Sequence, residues 1–442
     1  MDTPICDFVR SYAESSTLRL HMPGHKGRGP MGTETLDITE ISGADSLYEA
    51  EGIIHRSEEN ASKLFGCPTF YSTEGSSHCI RAMLYLCLLH ARRTGKRPVI
   101  AAGRNAHKVL LSAAALLDLD IEWLYPGNGS SYLSCAITAE ALDRALSEMT
   151  DKPAAVYVTS PDYLGNMLDI AAFAAVAHQH GCLLAVDNAH GAYLKFLPQS
   201  LHPMDLGADL CCDSAHKTLP VLTGGAYLHT SPALQAQAKN ALALFGSTSP
   251  SYLILQSLDA VNHILAENYK ERLERIIDDA VRCKERLCHL GYHFLGDEPT
   301  KLTIDAKAYG YTGNELAGLL RNMKIECEFS DPDYVVLMLT PETGTEGLRQ
   351  LENALSVIPQ RPALSECPPS FHTPQRIMGV REAVFSPCEM VSVSRSRGRI
   401  LAAATVGCPP AVPIAVCGEQ IDDETIKRFQ YYGIDTCCVV TE

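Results

Sequence analysis

The chain has 442 residues, enough for about three domains of ordinary size and for a large apolar core. Apolar residues make up 46% of the chain and charged residues 20%, which is typical of a globular protein and excludes a mainly disordered, collagenous or coiled-coil chain. With 37 Lys and Arg against 52 Asp and Glu, the formal net charge is −15. This acidic balance argues against general binding to nucleic acid or to an anionic membrane, since both require a basic surface.

The 17 cysteines are scattered, with two adjacent pairs, Cys211-Cys212 and Cys437-Cys438, and no CxxC spacing. Such a set suits neither a disulfide framework nor a zinc site, so we expect reduced, mostly buried thiols, no metal site and a cytoplasmic protein. The polar, acidic first ten residues do not read as a signal peptide, and no run of about 18 apolar residues would cross a membrane. The N-x-Ser sequences at Asn60 and Asn128 therefore carry no expected glycan.

After an arm at residues 1–60, the pattern predicts alternating strands and helices. Short apolar runs predict strands at residues 99–102, 121–125, 154–159, 183–186 and 226–228. Longer periodic runs predict helices at residues 79–90, 107–119, 139–149 and 170–180. This alternation predicts βαβ units and an α/β fold with a mainly parallel sheet.

The second half of the chain changes character. Residues 251–290 predict a long helical stretch, and residues 291–358 predict two strands flanking a helix that begins with capping-box spacing at Thr312 and Glu315. A proline-rich linker follows. We therefore expect, besides the arm, a large domain at 61–260, a small α+β domain at 261–360 and a C-terminal domain at 375–442.

Ligands of open parallel sheets bind at the carboxyl ends of the strands, so polar residues that follow strand-like runs are candidates. Lys217, in the run Ser214-Ala215-His216-Lys217, is either a solvated loop lysine or a lysine that forms a Schiff base. Asp187 ends an apolar run, where it either caps the next segment or faces a protonated ring nitrogen.

Two further places follow the same logic. Gly75, Ser76 and Ser77 precede a helical run, which is the arrangement of a phosphate cradle and also of an ordinary helix cap. Neither a Walker motif nor a GxGxxG motif is present in the sequence, so the phosphate would belong to another kind of ligand. His107 follows the first strand, where it either stacks on a flat ring or caps the next helix. Taken together, these residues supply what a pyridoxal phosphate site requires.

The sequence resembles the bacterial ornithine/lysine/arginine decarboxylases. The most specific segment is residues 20–27, Leu-His-Met-Pro-Gly-His-Lys-Gly, which is similar to the N-terminal signature of that family. The other similar segments are residues 36–40 with Gly52, Glu58, Glu59, Phe65 and Gly66, residues 214–217, residues 248–252, residues 408–413, and Gly418 with Glu419. The resemblance implies a fold-type I pyridoxal phosphate enzyme, with a seven-stranded, mainly parallel sheet in the large domain.

The resemblance also implies roles for individual residues. Lys217 would be the Schiff-base lysine, Asp187 would pair with the ring nitrogen and His107 would stack on the ring. The catalytic group is then Lys217, His216 and Asp187, and Glu419 would receive the distal cation of the substrate. The residues expected to hold the cofactor are Lys217, Asp187, His107, Gly75, Ser76, Ser77, Ser214, His216, His190 and, from a second subunit, Thr248 and Ser249. We expect pyridoxal 5'-phosphate as cofactor, arginine, lysine or ornithine as substrate, and a homodimer or higher homo-oligomer with shared active sites.

The chain departs from the pattern of the family at several positions. The family usually has an acid where Asn188 stands, often a His at Tyr193, and a small hydroxyl residue at Asp162. The remaining departures are His78 and Cys79, where smaller polar residues are expected, and Cys417, which replaces a proline. These differences leave open another pyridoxal phosphate enzyme, such as an aminotransferase or a carbon–sulfur lyase, with Arg321 and Arg349 available to clamp a carboxylate. A catalytically inactive relative that still binds the cofactor is the other alternative.

Overall fold

The computed structural model describes residues 1–127, 131–405 and 411–441. The helices are α1 (Pro4–Glu14), α2 (Ile53–Phe65), α3 (Ser76–Thr94), α4 (Val109–Leu117), α5 (Ala139–Glu148), α6 (Ile170–Gln179), α7 (Ala215–Thr218), α8 (Gln235–Ala243), α9 (Tyr252–Glu267), α10 (Tyr269–His289), α11 (Gly313–Asn322), α12 (Gly344–Ser356), α13 (Val380–Phe385) and α14 (Asp423–Tyr431). The strands are β1 (Thr69–Ser72), β2 (Val99–Gly103), β3 (Asp120–Leu124), β4 (Ala155–Thr159), β5 (Leu183–Asp187), β6 (Leu210–Asp213), β7 (Ala226–Thr230), β8 (Phe294–Leu295), β9 (Lys301–Asp305), β10 (Phe329–Ser330), β11 (Tyr334–Met338), β12 (Cys388–Ser392) and β13 (Thr436–Val440). Short 3-10 turns cover Ala192–Phe196, Pro203–Leu206 and Val393–Arg395.

The chain divides into two compact units. Unit 1 comprises Met1–Leu89 with Leu183–Arg272, and unit 2 comprises His90–Cys182 with Leu273–Glu442. The major sheet has seven strands: β1, β7, β6 and β5, in that spatial order, come from unit 1, and β4, β2 and β3 come from unit 2. The expectation of an α/β fold with a seven-stranded, mainly parallel sheet is confirmed.

In unit 1, the strand directions decide which strand ends lie at the same edge of the sheet. Strand β5 runs parallel to β6, with Asp187 opposite Cys212. Strand β7 runs antiparallel to both β6 and β1. Consequently β1, β5 and β6 share one direction, and their carboxyl ends lie at the same edge of the sheet. Strand β6 was not predicted, because Leu-Cys-Cys-Asp carries none of the β-branched or aromatic residues that mark a strand.

In unit 2, the fully buried strand β2 runs parallel to β3 and β4. Helices α5 and α6 begin where the side chains of Thr138 and Asp169 accept backbone N–H groups, as N-caps do. A second sheet, in the order β10-β11-β9-β8, is antiparallel throughout. The predicted capping box of Thr312 and Glu315 is present at the start of α11.

The C-terminal part of unit 2 carries a small antiparallel pair, β12 with β13. Helix α14 begins at the N-cap Asp422, whose carboxylate accepts the backbone N–H of Thr425. An apolar cluster that includes Val393, Leu401, Phe429 and Val439 fills this part of the unit. Residues 406–410, which include the predicted family segment Cys408-Pro409-Pro410, lie outside the described residues, as does Asn128.

Two expectations about helices differ from the structure. The stretch 251–290 is two helices, α9 and α10, because the backbone leaves helical geometry at Asn268 (φ −120°, ψ 13°). Residues 1–60, for which the sequence pattern predicted no helix, contain α1 and the first part of α2. The start of α1 is anchored by Asp259, a buried residue of α9 whose carboxylate accepts the N–H groups of Ile5 and Cys6 at 3.0 and 2.9 Å.

The cysteines in the described part of the chain are free thiols, and most are buried, as the scattered spacing predicted. Among the described residues, none of the helices has both the length and the apolar character needed to cross a bilayer.

Candidate active site

The candidate active site of unit 1 lies at the sheet edge where β1, β5 and β6 end. Asp187 is the last residue of β5. Strand β6 is followed by Ser214 and by the short helix α7, which carries Lys217. Strand β1 is followed by the turn at Gly75 and then by Ser76, the first residue of α3. The topology thus brings three segments from distant parts of the sequence to one edge.

Lys217 has a specific partner at this edge. Its Nζ lies 2.9 Å from Nε2 of His190, and the backbone N–H of Lys217 donates to the carbonyl of Ser214 at 2.9 Å. His190 is buried, whereas Lys217 is partly exposed. Two basic nitrogens at this distance share one proton, because one of them must accept. The arrangement is therefore suited to an amine that gains and loses a proton.

A pair of hydroxyl groups lies at the start of α3. Ser214 Oγ donates to Ser76 Oγ at 2.7 Å. Gly75, just before the helix, has a φ of +73°, a left-handed conformation that favours glycine, and its N–H donates to the carbonyl of Gly224 at 2.8 Å. Free N–H groups and the positive end of the helix dipole make such a site suitable for an anion. Ser77, the second predicted hydroxyl, is the next residue of α3.

The carboxylate of Asp187 is buried at the end of β5. Its Oδ1 accepts the backbone N–H of Ala189 at 3.2 Å and faces the thiol of Cys212 at 3.6 Å. A buried carboxylate at the sheet edge that also carries an amine and a hydroxyl pair is the donor set that pyridoxal phosphate requires: an amine for the aldehyde, hydroxyls for the phosphate and an acid for the ring nitrogen. The residues of unit 1 therefore fit that cofactor.

His78 supports the turn that carries Gly75 and Ser76. Its Nδ1 lies 2.8 Å from Ser72 Oγ, and its Nε2 lies 2.8 Å from the carbonyl oxygen of Leu242 in α8. Burial lowers the pKa of this imidazole below its ordinary value, so the ring is neutral. The sequence marked His78 only as a departure from the family, and the structure shows that it links three segments of unit 1.

The remaining predicted residues of unit 1 lie as follows. His216 Nδ1 lies 3.0 Å from the carbonyl oxygen of Gly225, which fixes the ring beside α7. Thr248 and Ser249 are exposed, and the backbone N–H of Ser249 donates to Ser247 Oγ at 3.1 Å. The described contacts of a single chain do not bring these two residues to Ser76 or Lys217, and their role toward a second subunit remains a prediction.

Two predicted residues belong to unit 2. His107 Nδ1 accepts the backbone N–H of Val109 at 3.2 Å, so the ring caps the start of α4. Glu419 is buried, and Nη2 of Arg104 lies 3.3 and 3.4 Å from its two carboxylate oxygens. Oε2 also accepts the backbone N–H of Val416 at 2.7 Å. The carboxylate expected to receive a substrate cation thus already has a cationic partner within the chain.

All six departures from the family pattern are buried residues, among them Tyr193, Asp162 and Cys417. Tyr193 lies within the 3-10 turn of unit 1. In unit 2, Asp162 Oδ1 accepts the N–H groups of Leu164 and Asn166, both at 2.9 Å, and burial raises the pKa of its carboxyl. Burial raises the pKa of the Cys417 thiol to about 12, so this thiol is protonated and unreactive.

Comparison with known proteins places the chain among decarboxylases of basic amino acids. The family described as Orn/Lys/Arg decarboxylase, major domain, matches residues 3–347. An arginine decarboxylase of Bacillus subtilis is 28% identical over 96% of this chain and 92% of its own length, and one of Halalkalibacterium halodurans is 30% identical over the same shares. Among solved structures, the constitutive lysine decarboxylase of E. coli superposes with a TM-score of 0.80 at 16% identity, over 100% of this chain and 82% of that chain. The last match bears on the fold alone.

Proposed function

Because the chain belongs to the Orn/Lys/Arg decarboxylase family, we propose that Lys217 holds the cofactor while a basic L-amino acid is decarboxylated to the corresponding amine and CO2. The family consists of pyridoxal phosphate-dependent amino acid decarboxylases. The observation that carries the proposal is the 2.9 Å approach of the Lys217 amine to His190, at the sheet edge that also holds Asp187. The Ser76–Ser214 hydroxyl pair at the same sheet edge supports it.

The proposed cofactor residues divide by the part of pyridoxal phosphate that they would hold. When bound, pyridoxal phosphate supplies an aldehyde and a ring that accepts the electron pair left by CO2. Gly75, Ser76, Ser77 and Ser214 would bind the phosphate at the start of α3. The carboxylate of Asp187 would keep the ring nitrogen protonated. The residues proposed to complete the site are His107 against the ring face, His216, and Thr248 with Ser249 from a second copy of the chain.

Proton transfer is the second task of the site. The carbon that loses CO2 must receive a proton, and the groups of unit 1 available to deliver it are the Lys217 amine and the His216 imidazole. His190 supports Lys217 in this role, because a proton that leaves the amine can be replaced across the 2.9 Å contact. We therefore propose Lys217 as the proton donor and His190 as the group that restores its proton.

We propose arginine as the substrate. The support is that two relatives which match 96% of this chain, from Bacillus subtilis and Halalkalibacterium halodurans, are named arginine decarboxylases. Arginine differs from lysine and ornithine in its planar guanidinium, which demands a flat acceptor with two oxygens rather than a single point charge. Product analysis with the three amino acids therefore separates the alternatives.

We also propose a homodimer or higher homo-oligomer in the cytoplasm. Large apolar side chains of the N-terminal family segment and its surroundings are exposed in the single chain, including Leu18, Leu20, Met22 and Met31. Apolar residues clustered in one exposed segment are typical of a surface that another protein covers. Light scattering across a range of protein concentrations tests this proposal.

The decisive experiment combines product analysis with chemical trapping. Purified protein is incubated with pyridoxal phosphate and with arginine, lysine or ornithine, and CO2 and amine are measured. Borohydride then reduces the lysine-bound cofactor, and mass spectrometry locates the modified residue. We expect amine from arginine, modification at Lys217, and loss of both in Lys217→Ala but not in Lys427→Ala, which removes an exposed lysine of α14. Modification at another lysine, or full turnover by Lys217→Ala, would overturn the proposal.

A further inference from the structure

Asn188 and Asp213 join the ends of the two strands that carry the proposed cofactor residues. Asn188 follows Asp187 at the end of β5, and Asp213 is the last residue of β6, just before Ser214. Asn188 Nδ2 donates to Asp213 Oδ1 at 2.7 Å, and both side chains are completely buried. The bond lies one step beyond the last paired residues of the two strands, Asp187 and Cys212. The backbone N–H of Asn188 also donates to the carbonyl of Cys212 at 3.0 Å, so the side-chain bond lies directly after the last backbone bond between the two strands.

In the contact between Asn188 and Asp213, the negative charge is on Asp213. The Oδ2 atom of Asp213 lies 3.1 Å from Nε2 of His202 and 3.1 Å from Nε2 of His229. Burial opposes ionisation of the carboxyl, but the two imidazoles more than offset it and hold the pKa of Asp213 well below its usual range. An ionised carboxylate only accepts hydrogen bonds, so its neighbours must donate.

Both ring nitrogens of His202 and both ring nitrogens of His229 take part in hydrogen bonds. Nδ1 of His202 accepts the backbone N–H of Met204 at 3.4 Å, and Nδ1 of His229 lies 2.9 Å from the hydroxyl of Thr69. His202, Cys211 and Asp213 also present atoms of the metal-ligand type within 4.8 Å of one another. Because hydrogen bonds occupy both nitrogens of each ring, the network needs no ion to satisfy it.

The side chain of Asn188 has only one workable orientation. Its Oδ1 is buried without a hydrogen-bond partner, on the side of Gly191, where an added Cβ would lie 2.0 Å from that oxygen. Exchanging the amide oxygen and nitrogen would point the oxygen at the carboxylate of Asp213. The residue at position 188 must therefore be a donor for as long as position 213 is an acid.

We propose that Asn188 and Asp213 are positioning residues, which act through a hydrogen bond of fixed polarity to hold Asp187 in place relative to the segment that carries Lys217. The proposal rests on the proposed function for the roles of Asp187 and Lys217. The hydrogen bond itself ties β5 to β6 whatever the substrate is. Neither residue of the pair needs to touch the cofactor or the substrate.

Because the hydrogen bond has a fixed polarity, it can be tested by exchanging the residues at positions 188 and 213. Asn188→Asp places two carboxylates in contact and breaks the bond. Asp213→Asn removes the charge but not the contact, because the amide at 188 can then turn so that its oxygen accepts from the new amide. In the double variant Asn188→Asp/Asp213→Asn, the new amide at 213 donates to the new carboxylate at 188, and the amide oxygen at 213 stays where both histidines can donate to it. The double variant can thus keep the contact that Asn188→Asp loses.

Two readouts separate a positioning role from a merely structural one. The first is the thermal midpoint Tm of the cofactor-free protein. The second is the pH at which the visible absorbance of the lysine-bound cofactor titrates, together with cofactor retention during dialysis. We expect Asn188→Asp to lower Tm, to shift the pH of the absorbance change and to retain cofactor about tenfold less well, and Asp213→Asn to lose less in each readout. The double variant should recover most of the loss of Asn188→Asp.

Asp259→Asn is the matched control, because Asp259 is a buried carboxylate of unit 1 that accepts backbone N–H groups of α1. It should lower Tm without moving the pH of the absorbance change. The proposal is overturned if the double variant is no better than Asn188→Asp, or if Asn188→Asp changes Tm alone, as the control does. Should wild-type cofactor be trapped on a lysine other than Lys217, the proposed function fails, whereas the Tm comparison still tests the bond between the two strands.

Discussion

Arg104 and Glu419, which are 315 residues apart in the sequence, form an ion pair in the interior of unit 2. The side chains of both residues are almost completely buried, and the guanidinium also donates to the carbonyls of Pro413 and Ile414 at 3.1 and 3.4 Å. Burial raises the pKa of Glu419, and Arg104 opposes that rise. The pair ties the C-terminal segment to the residue that follows β2.

Glu419→Gln tests what this pair contributes. The change leaves the Arg104 guanidinium buried without its counter-charge, and we expect a loss of about 3–5 kcal/mol in the free energy of unfolding. Urea unfolding without substrate measures it, and Glu389→Gln, an exposed partner of Arg399, is the control with an expected change below about 1 kcal/mol. If Glu419→Gln raised the KM for arginine at unchanged stability, Glu419 would instead bind the substrate cation.

Gly75→Ala tests the phosphate turn. The φ of +73° is strained for alanine by about 1–2 kcal/mol, and no atom within 4 Å would meet the new Cβ, so strain is the only local effect. Gly95 has a φ of +71° and equally open surroundings, which makes Gly95→Ala a matched control. We expect both variants to lose similar stability in urea, whereas only Gly75→Ala should raise the Kd for pyridoxal phosphate. Equal cofactor affinities in the two variants would contradict a phosphate site at this turn.

His78→Phe tests the support behind the same turn. Phenylalanine keeps the approximate size of the ring but removes its hydrogen bonds to Ser72 Oγ and to the carbonyl of Leu242, both of which keep other partners. A hydrogen bond contributes about 0.5–1.5 kcal/mol net, so we expect a loss of about 1–3 kcal/mol in unfolding free energy. His55→Phe, at an exposed position of α2, should change it by less than about 0.5 kcal/mol. Indistinguishable unfolding curves for the two variants would show that the hydrogen bonds of His78 contribute little.

Asp331 predicts a pH-dependent stability in unit 2. Burial raises the pKa of its carboxyl to about 6, against backbone N–H groups of Asp333 and Tyr334 that lower it. A raised pKa favours folding at low pH, and this contribution is lost as the pH rises through about 6. We therefore expect Asp331→Asn to gain about 3 kcal/mol of stability relative to the wild type between pH 4 and pH 8. Unfolding free energies at several pH values measure it, and parallel curves would contradict the assignment.

Much of the fold could be predicted because its central strands are short apolar runs. The runs at 99–102 and 154–159 became β2 and β4, and the capping-box spacing placed the start of α11 within one residue. Strand β6 was missed, since its two cysteines and its aspartate give no period and little β propensity. The helical stretch after residue 251 gave no local signal for the break at Asn268, which ends α9.

The candidate site could be approached from the sequence only through local runs of residues. Ser76 was singled out because it precedes a helical run, and Lys217 through the run Ser-Ala-His-Lys, whereas the strands that precede them, β1 and β6, were not predicted. The contact between Ser76 and Ser214 is seen only in the structure. His202 and His229 gave no such signal. Their role depends on both rings meeting one carboxylate, Asp213, and neither residue belongs to a local motif. The pairing of Glu419 with Arg104 could not be predicted either, because sequence patterns do not relate two residues that lie so far apart in the chain.

The contact between Asn188 and Asp213 has a consequence for how this protein can change over generations. A lineage in which position 188 becomes an acid before position 213 becomes an amide passes through a form in which two carboxylates are forced together, and selection should remove it. The opposite order passes through a pair of amides, which can still form a hydrogen bond. The order of the two changes therefore decides whether the exchange is tolerated, and a library that varies both positions jointly should recover the exchanged pair.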